Sequence, residues 1–583
     1  MSVSQSFLSN SPYGYDFVVA TTQASINATM KAFLAAGTEP VANICFVADD
    51  DGNPVQIDYE QLKANAHGSD PFSVPNSANP NTDQDLKNLY AARFMVGFQA
   101  QIGLPPGYQP DQIPDVVTLG SDTSEVIFNL MCSQFTVVQL TPASGYTPAK
   151  WMNQSQPPGD AWMFTSKVDL RMFPTDQSAY HNLPADVQAQ IANLGANAFS
   201  VQQLLFDLDN AALESVPTIQ GVTPGTTLYN VLQQYFLGAY FAAMQANGSP
   251  LLGCTITMAQ SDPSPLELSY LNMEVCPLLD GNGNPYPDPT PDQQQLATLN
   301  YLCEANNDTP HPPVPFAWNW VDSAGECDGV LAVNRNTFAS FFQQQLMPLV
   351  AANCYAPYCH VWLSGIFDQD VNYAWNMTPN QTPTVVAPTS GSTVLQFSYN
   401  NYAEDQAGLN GDMGHLTLKP IYSATVEFTG NTIVITQHLV VYLYVQYLAT
   451  GAGGNAIDKT ITDTYTLAVD DQGRLTASLS SAVVDNSDPP SVNGFLNWFT
   501  GINDLIADVS QWLSSLVATN FTDMPLSVVQ NFIFPGGNTF LFKDVSFSDN
   551  QDLASRITYA DPSRIHLSDF FNDANRSNCV VTA

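Results

Sequence analysis

Positive charge is what this 583-residue chain most lacks: 15 Lys and Arg stand against 53 Asp and Glu, a formal net charge of −38 with only 12% of residues charged. No basic patch is available to neutralise phosphates, which argues against nucleic acid as a partner, and an anionic membrane would have to be approached against the global field. So few charges leave the surface to Asn, Gln, Ser and Thr. No run of eighteen apolar residues occurs, so no transmembrane segment is expected. Residues 1–15 show no basic stretch followed by an apolar core, which makes cytoplasmic synthesis the default expectation and leaves leaderless export open. Nine cysteines without regular spacing argue against a disulfide framework.

Catalytic signatures are missing too. There is no His-Glu-x-x-His, no Gly-x-Ser-x-Gly, no phosphate-cradling glycine loop with lysine and no dinucleotide fingerprint. Acid pairs are so abundant that none stands out as a glycosidase dyad. The chain reads as a non-enzyme without cofactor or metal. Asp49, Asp51, Asn53, Val55 and Glu60 match the spacing of a calcium loop, but Pro54 stands where glycine belongs and the flanks read as strands, so a hairpin turn is expected. Asp280, Asn282 and Asn284 fail in the same way. Cys359 and His360 are the alternative catalytic reading, a hydrolase nucleophile with its base, although strand neighbours point to opposite faces.

What is present is periodicity. Over 492–517, Phe495, Trp498, Phe499, Ile502, Leu505, Val509, Trp512 and Leu516 recur at the spacing of one helical face, on a helix of roughly 39 Å. Upstream, over 416–483, the period changes to two. Leu416, Leu418, Tyr422, Val426 and Phe428 share one face, then Ile433, Ile435, Leu439, Val441, Leu443 and Val445, then Ile461, Tyr465 and Leu467, then Leu475, Ala477, Leu479 and Val483. Gly430-Asn431, the glycine-rich 451–454 and Asp471-Gln472-Gly473 are read as the turns of an antiparallel meander. Strands this long should coil, so the meander is expected to wrap along the helix. Further helices are predicted at 25–34, 83–101, 228–244 and 337–352.

The domain reading follows from composition. Residues 1–276 form an N-terminal α+β half, 277–315 a connection dense in proline and glycine, 316–562 the curved meander with its long helix, and 563–583 a tail.

Tyr13-Gly14-Tyr15-Asp16-Phe17-Val18, Phe316-Ala317-Trp318-Asn319-Trp320-Val321, and Phe534-Pro535-Gly536-Gly537 with Phe540-Leu541-Phe542-Lys543 resemble stretches of the P-forty-seven and OrfX proteins of clostridial neurotoxin gene clusters, within the tubular lipid-binding (TULIP) superfamily. The proline-rich loops, Asn and Gln richness and extra length mark a distant relative, so toxin association is not carried over. The resemblance implies an elongated α+β fold in which long amphipathic helices are wrapped by a highly curved antiparallel sheet, with lipid tails between them. The expected function is non-catalytic carriage of a lipid or other hydrophobic small molecule, with Trp498, Phe499, Ile502, Leu505, Val509, Trp512 and Leu443 as groove walls. The alternative is an assembly subunit of a toxin-like or secreted complex, with a protein partner.

Overall fold

The computed structural model of the protein describes residues 2–36, 41–120, 125–175, 198–206, 212–215, 219, 222–236, 240, 254–258, 268–305, 311–323, 327–365, 370–471, 473, 475–491 and 540–559. These are mostly β, and they overturn the α+β expectation of long helices wrapped by one curved sheet in the TULIP manner. Among the described residues the longest helices are Arg335–Ala352, of 18 residues, and Gln23–Ala36, of 14. No helix among them is long and apolar enough to cross a membrane. The helix expected over 492–517 lies outside the described residues.

Among the described residues the strands form three antiparallel sheets and a two-stranded ribbon. A ten-stranded sheet has as its main path Cys254–Met258, Ala198–Phe206, Met163–Thr175, Glu125–Thr141, Phe94–Ile102, Ala42–Ala48 and Pro54–Ile57. Helix Gln23–Ala36 shares its core, burying Ile26, Met30 and Leu34 with Phe98 and Phe135. The helix predicted over 83–101 is corrected here: it stops after Ala91, Arg93 takes a left-handed φ of 60°, and Phe94–Ile102 continues as a strand. Leu86, Leu89, Phe94 and Phe98 suit a helical stripe, but Phe94, Val96, Phe98, Ala100 and Ile102 also alternate, and the alternation prevails.

A seven-stranded sheet ties distant parts of the chain together. Its order is Leu268–Cys276, Thr298–Ala305, Phe17–Thr22, Gly329–Val333, Leu553–Tyr559 and Phe540–Phe542, with Ser546–Phe547 also beside Leu553–Tyr559. The proline-rich 277–315 stretch thus contributes a strand of this sheet, paired with Phe17–Thr22 on one side. Both faces are covered. Phe17, Val19, Leu331 and Val333 enter the main core, whereas Val18, Ala20, Val330 and Ala332 meet an aromatic cluster of Tyr13, Tyr15, Phe316, Trp318 and Trp320. Tyr13 stacks on Phe316 at 5.0 Å, and Phe316 meets Trp320 edge-on at 4.9 Å, the offset geometries that aromatic quadrupoles favour.

The C-terminal sheet is the predicted meander. Gly414–Thr429, Thr432–Tyr447, Thr450–Val469 and Leu475–Asp485 pair in sequence, extended by Thr393–Asn400, Thr384–Val386 and Ala403–Ala407 beyond the first. One turn is misplaced in the sequence reading: 451–454 lies inside the third strand, and the chain reverses at Leu448, whose φ is 52°. The glycines are there because a Cβ on Gly451 would stand 2.5 Å from the Tyr444 hydroxyl, so tyrosine rings lie over the strand where side chains are missing. Helix Arg335–Ala352 packs on the sheet through Phe338 and Phe342, 5.4 and 5.9 Å from Phe428, which itself stacks on Phe547 at 4.5 Å.

Candidate functional site

Alternation along the meander places one apolar set on the inner face of the C-terminal sheet. Leu418, Val426, Ile435, Val441 and Leu443 are all fully buried there. Leu443, the described member of the predicted wall, lies on this buried face. Trp498, Phe499, Ile502, Leu505, Val509 and Trp512 lie outside the described residues. Polar side chains interrupt this face, Gln437 and Asp463 within it and Lys459 opposite Leu439. Gln437 accepts the Tyr422 hydroxyl at 2.8 Å while its Nε2 has no hydrogen-bond partner, and Asp463 accepts the Ser481 hydroxyl at 2.5 Å. Burial pushes the Tyr422 hydroxyl far above its ordinary value, so it stays a donor.

The face does not stay covered to its edge. Leu479 pairs with Tyr465 and Val483 with Ile461. Tyr465 and Ile461 are 2% and 3% exposed, yet Leu479 and Val483 are 40% and 62% exposed. The sequence reading put these last-strand residues on the dry face; in the structure Leu479 and Val483 are exposed beside a dry interior, with Ser481 between them.

The other candidates resolve into ordinary structure. Cys359 and His360 are not brought together: Cys359 points inward and donates to the Ala403 carbonyl, with burial pushing its thiol up to about 12, while His360 faces out and meets Asp405 at 3.0 Å. Asp49 accepts the backbone N–H groups of Asp51 and Asn53, and Asp280 those of Asn282 and Asn284; both are turns. Among the described residues no group of three or more His, Cys, Asp or Glu is arranged to hold a metal. A cavity of about 200 Å³ lined by Trp320, Cys327, Val330 and Arg556 falls short of the several hundred Å³ of an ordinary ligand site.

Sequence reasoning missed the buried carboxylates of the seven-stranded sheet, Glu274 and Asp552 among them. Glu274 is fully buried, and the Cys276 thiol is the hydrogen-bond donor beside its carboxylate. Burial pushes it up to about 7, and the neighbouring Cys276 thiol pulls the other way. Asp552 accepts the Ser6 hydroxyl at 2.7 Å and the backbone N–H groups of Leu8 and Arg335 at 2.6 and 3.0 Å, joining three distant segments. Its burial outweighs those bonds and raises it to about 6. Neither has a local sequence signal, because the partners of Asp552 lie more than two hundred residues away and the burial of Glu274 follows from tertiary packing.

No family model matches the chain and no curated protein matches it, so the clostridial resemblance gains no support from them. Among solved structures, the crystal structure of lipopolysaccharide binding protein is similar over 94% of this chain and 99% of that one, at 10% identity and a TM-score of 0.27, a likeness too weak to carry an argument.

Proposed function

We propose that the chain is a non-catalytic binding protein that takes a lipid or another apolar molecule against the inner face of its C-terminal sheet. The observation that supports this reading is the exposed margin at Leu479 and Val483, directly beside the buried Tyr465 and Ile461. An apolar chain laid there would remove both side chains from water, gaining roughly 25 cal/mol for each Å² covered. No titratable group is needed for such binding. The test is mass spectrometry of solvent extracts from purified protein: a reproducible stoichiometric lipid supports the reading, and a lipid-free extract together with no uptake of added fatty acid refutes it.

A further inference from the structure

The ribbon of Ala356–Ser364 and Asp370–Thr378 turns two different faces to its surroundings. Cys359, Val361, Val371 and Met377 are buried. Tyr358, His360 and Trp362 point the other way, with Tyr358 55% and Trp362 40% exposed. The register sets Asn376 opposite Tyr358 and Asn372 opposite Trp362. Tyrosine and tryptophan are enriched among the residues that dominate binding energy at protein interfaces.

Trp362 is held in place rather than loose. The His360 ring stacks on it at 5.1 Å with 15° between planes, and His360 Nδ1 lies 3.0 Å from Asp405. Asp405 also accepts the Val361 N–H at 2.8 Å, and that bond, before the imidazole, holds its carboxyl below the ordinary range. Carboxylate, imidazole and indole therefore stand in a fixed row, so little ordering is left for a partner to impose.

Charge narrows the partner. Between Arg335 and Lys419 the sequence contains no lysine or arginine, but it contains Asp368, Asp370, Glu404, Asp405 and Asp412. The described ion pairs of Asp405 and Glu404 are with His360 and His415. We propose that this ribbon face docks a basic segment of a protein partner, its arginine or lysine side chains lying over Trp362 and Tyr358 and their charges directed toward Asp405 and Asp370. Cations favour aromatic faces, and the chain's net charge of −38 draws such a segment in from solution. A neutral saccharide could stack on the same rings but would gain nothing from the carboxylates.

Fluorescence anisotropy of a labelled oligo-arginine peptide against the full chain tests the proposal. Binding should weaken with added salt and fall about tenfold in a Tyr358→Ser, Trp362→Ser double variant, whose net charge is unchanged. Equal affinity for the two proteins would assign binding to the diffuse negative field and overturn the proposal. Hydrogen exchange of the unsubstituted chain gives an answer that does not depend on the variant folding. Peptide-induced protection should concentrate in 356–364 and 370–378, and protection confined to other segments overturns the proposal. A glycan-array signal lost in the double variant, with oligo-arginine binding intact, would give the face to a saccharide instead.

Discussion

Glu274 stands directly across the antiparallel ladder from Asn300, and what its buried carboxylate meets is the Cys276 thiol rather than a charged donor. Tyr13, Tyr15 and the Cys276 thiol are the titratable groups that interact with it, and none of them carries a positive charge to offset one on Glu274. A protonated Glu274 is therefore the form the fold accepts.

The first prediction is stabilisation in mild acid. Glu274 is raised from 4.5 to about 7 and Asp552 from 3.8 to about 6, so in both cases the unfolded chain releases its proton first as pH rises. Their contribution is full below about pH 4 and is lost as pH climbs through about 7, with Glu274 alone worth about 3 kcal/mol. Urea midpoints measured across this window should fall toward neutral pH. Glu274→Gln should flatten the profile and raise stability at pH 8; an unchanged profile in that variant contradicts the assignment.

Asp552 joins residues 6 and 8 to the first residue of helix Arg335–Ala352, and the Arg335 guanidinium beside it donates to Gln551, Pro388, Gly391 and Thr393. Asp552→Ala orphans two buried N–H groups and leaves Arg335 without its nearby carboxylate. The expected loss is about 3 kcal/mol or more, read from the urea midpoint at neutral pH. A loss within 0.5 kcal/mol, about the size of an ordinary surface substitution, would show that the three segments are held by other contacts.

Gly329 pairs with Thr21 on one side and Ile557 on the other, and a Cβ there would overlap the Ala20 carbonyl oxygen. A backbone atom inside a three-strand ladder cannot swing aside as a side chain can. Gly329→Ala should cost about 2 kcal/mol or more, whereas Gly281→Ala, in open space, should be nearly silent. Equal thermal midpoints for the two variants would refute the close approach.

Cys359, with its thiol at about 12 and buried, should resist iodoacetamide at pH 8 until denaturant is added. Mass mapping of alkylated peptides checks this. Rapid modification of Cys359 in the folded chain would revive a nucleophilic role for it.

The contrast between the meander and the central sheet explains what could be read in advance. Along Gly414–Thr429 and Thr432–Tyr447 one face is dry and one wet, so Leu416 to Val445 alternate visibly and tight hairpins fix the register. Phe17–Thr22 and Gly329–Val333 are buried on both faces, alternate in nothing, and pair across more than three hundred residues, so no local window could join them. The face that carries Leu443 was legible because it is periodic. The exposed state of Leu479 and Val483 was not, because alternation says which residues share a side and nothing about whether that side is covered.

Uptake of a fluorescent fatty acid by the full chain, compared with a Leu479→Asn, Val483→Asn double variant, tests the binding account most directly. The account predicts saturable uptake that weakens roughly tenfold when the two apolar side chains at the margin become polar. Absence of uptake, or equal affinity in both proteins, would contradict it.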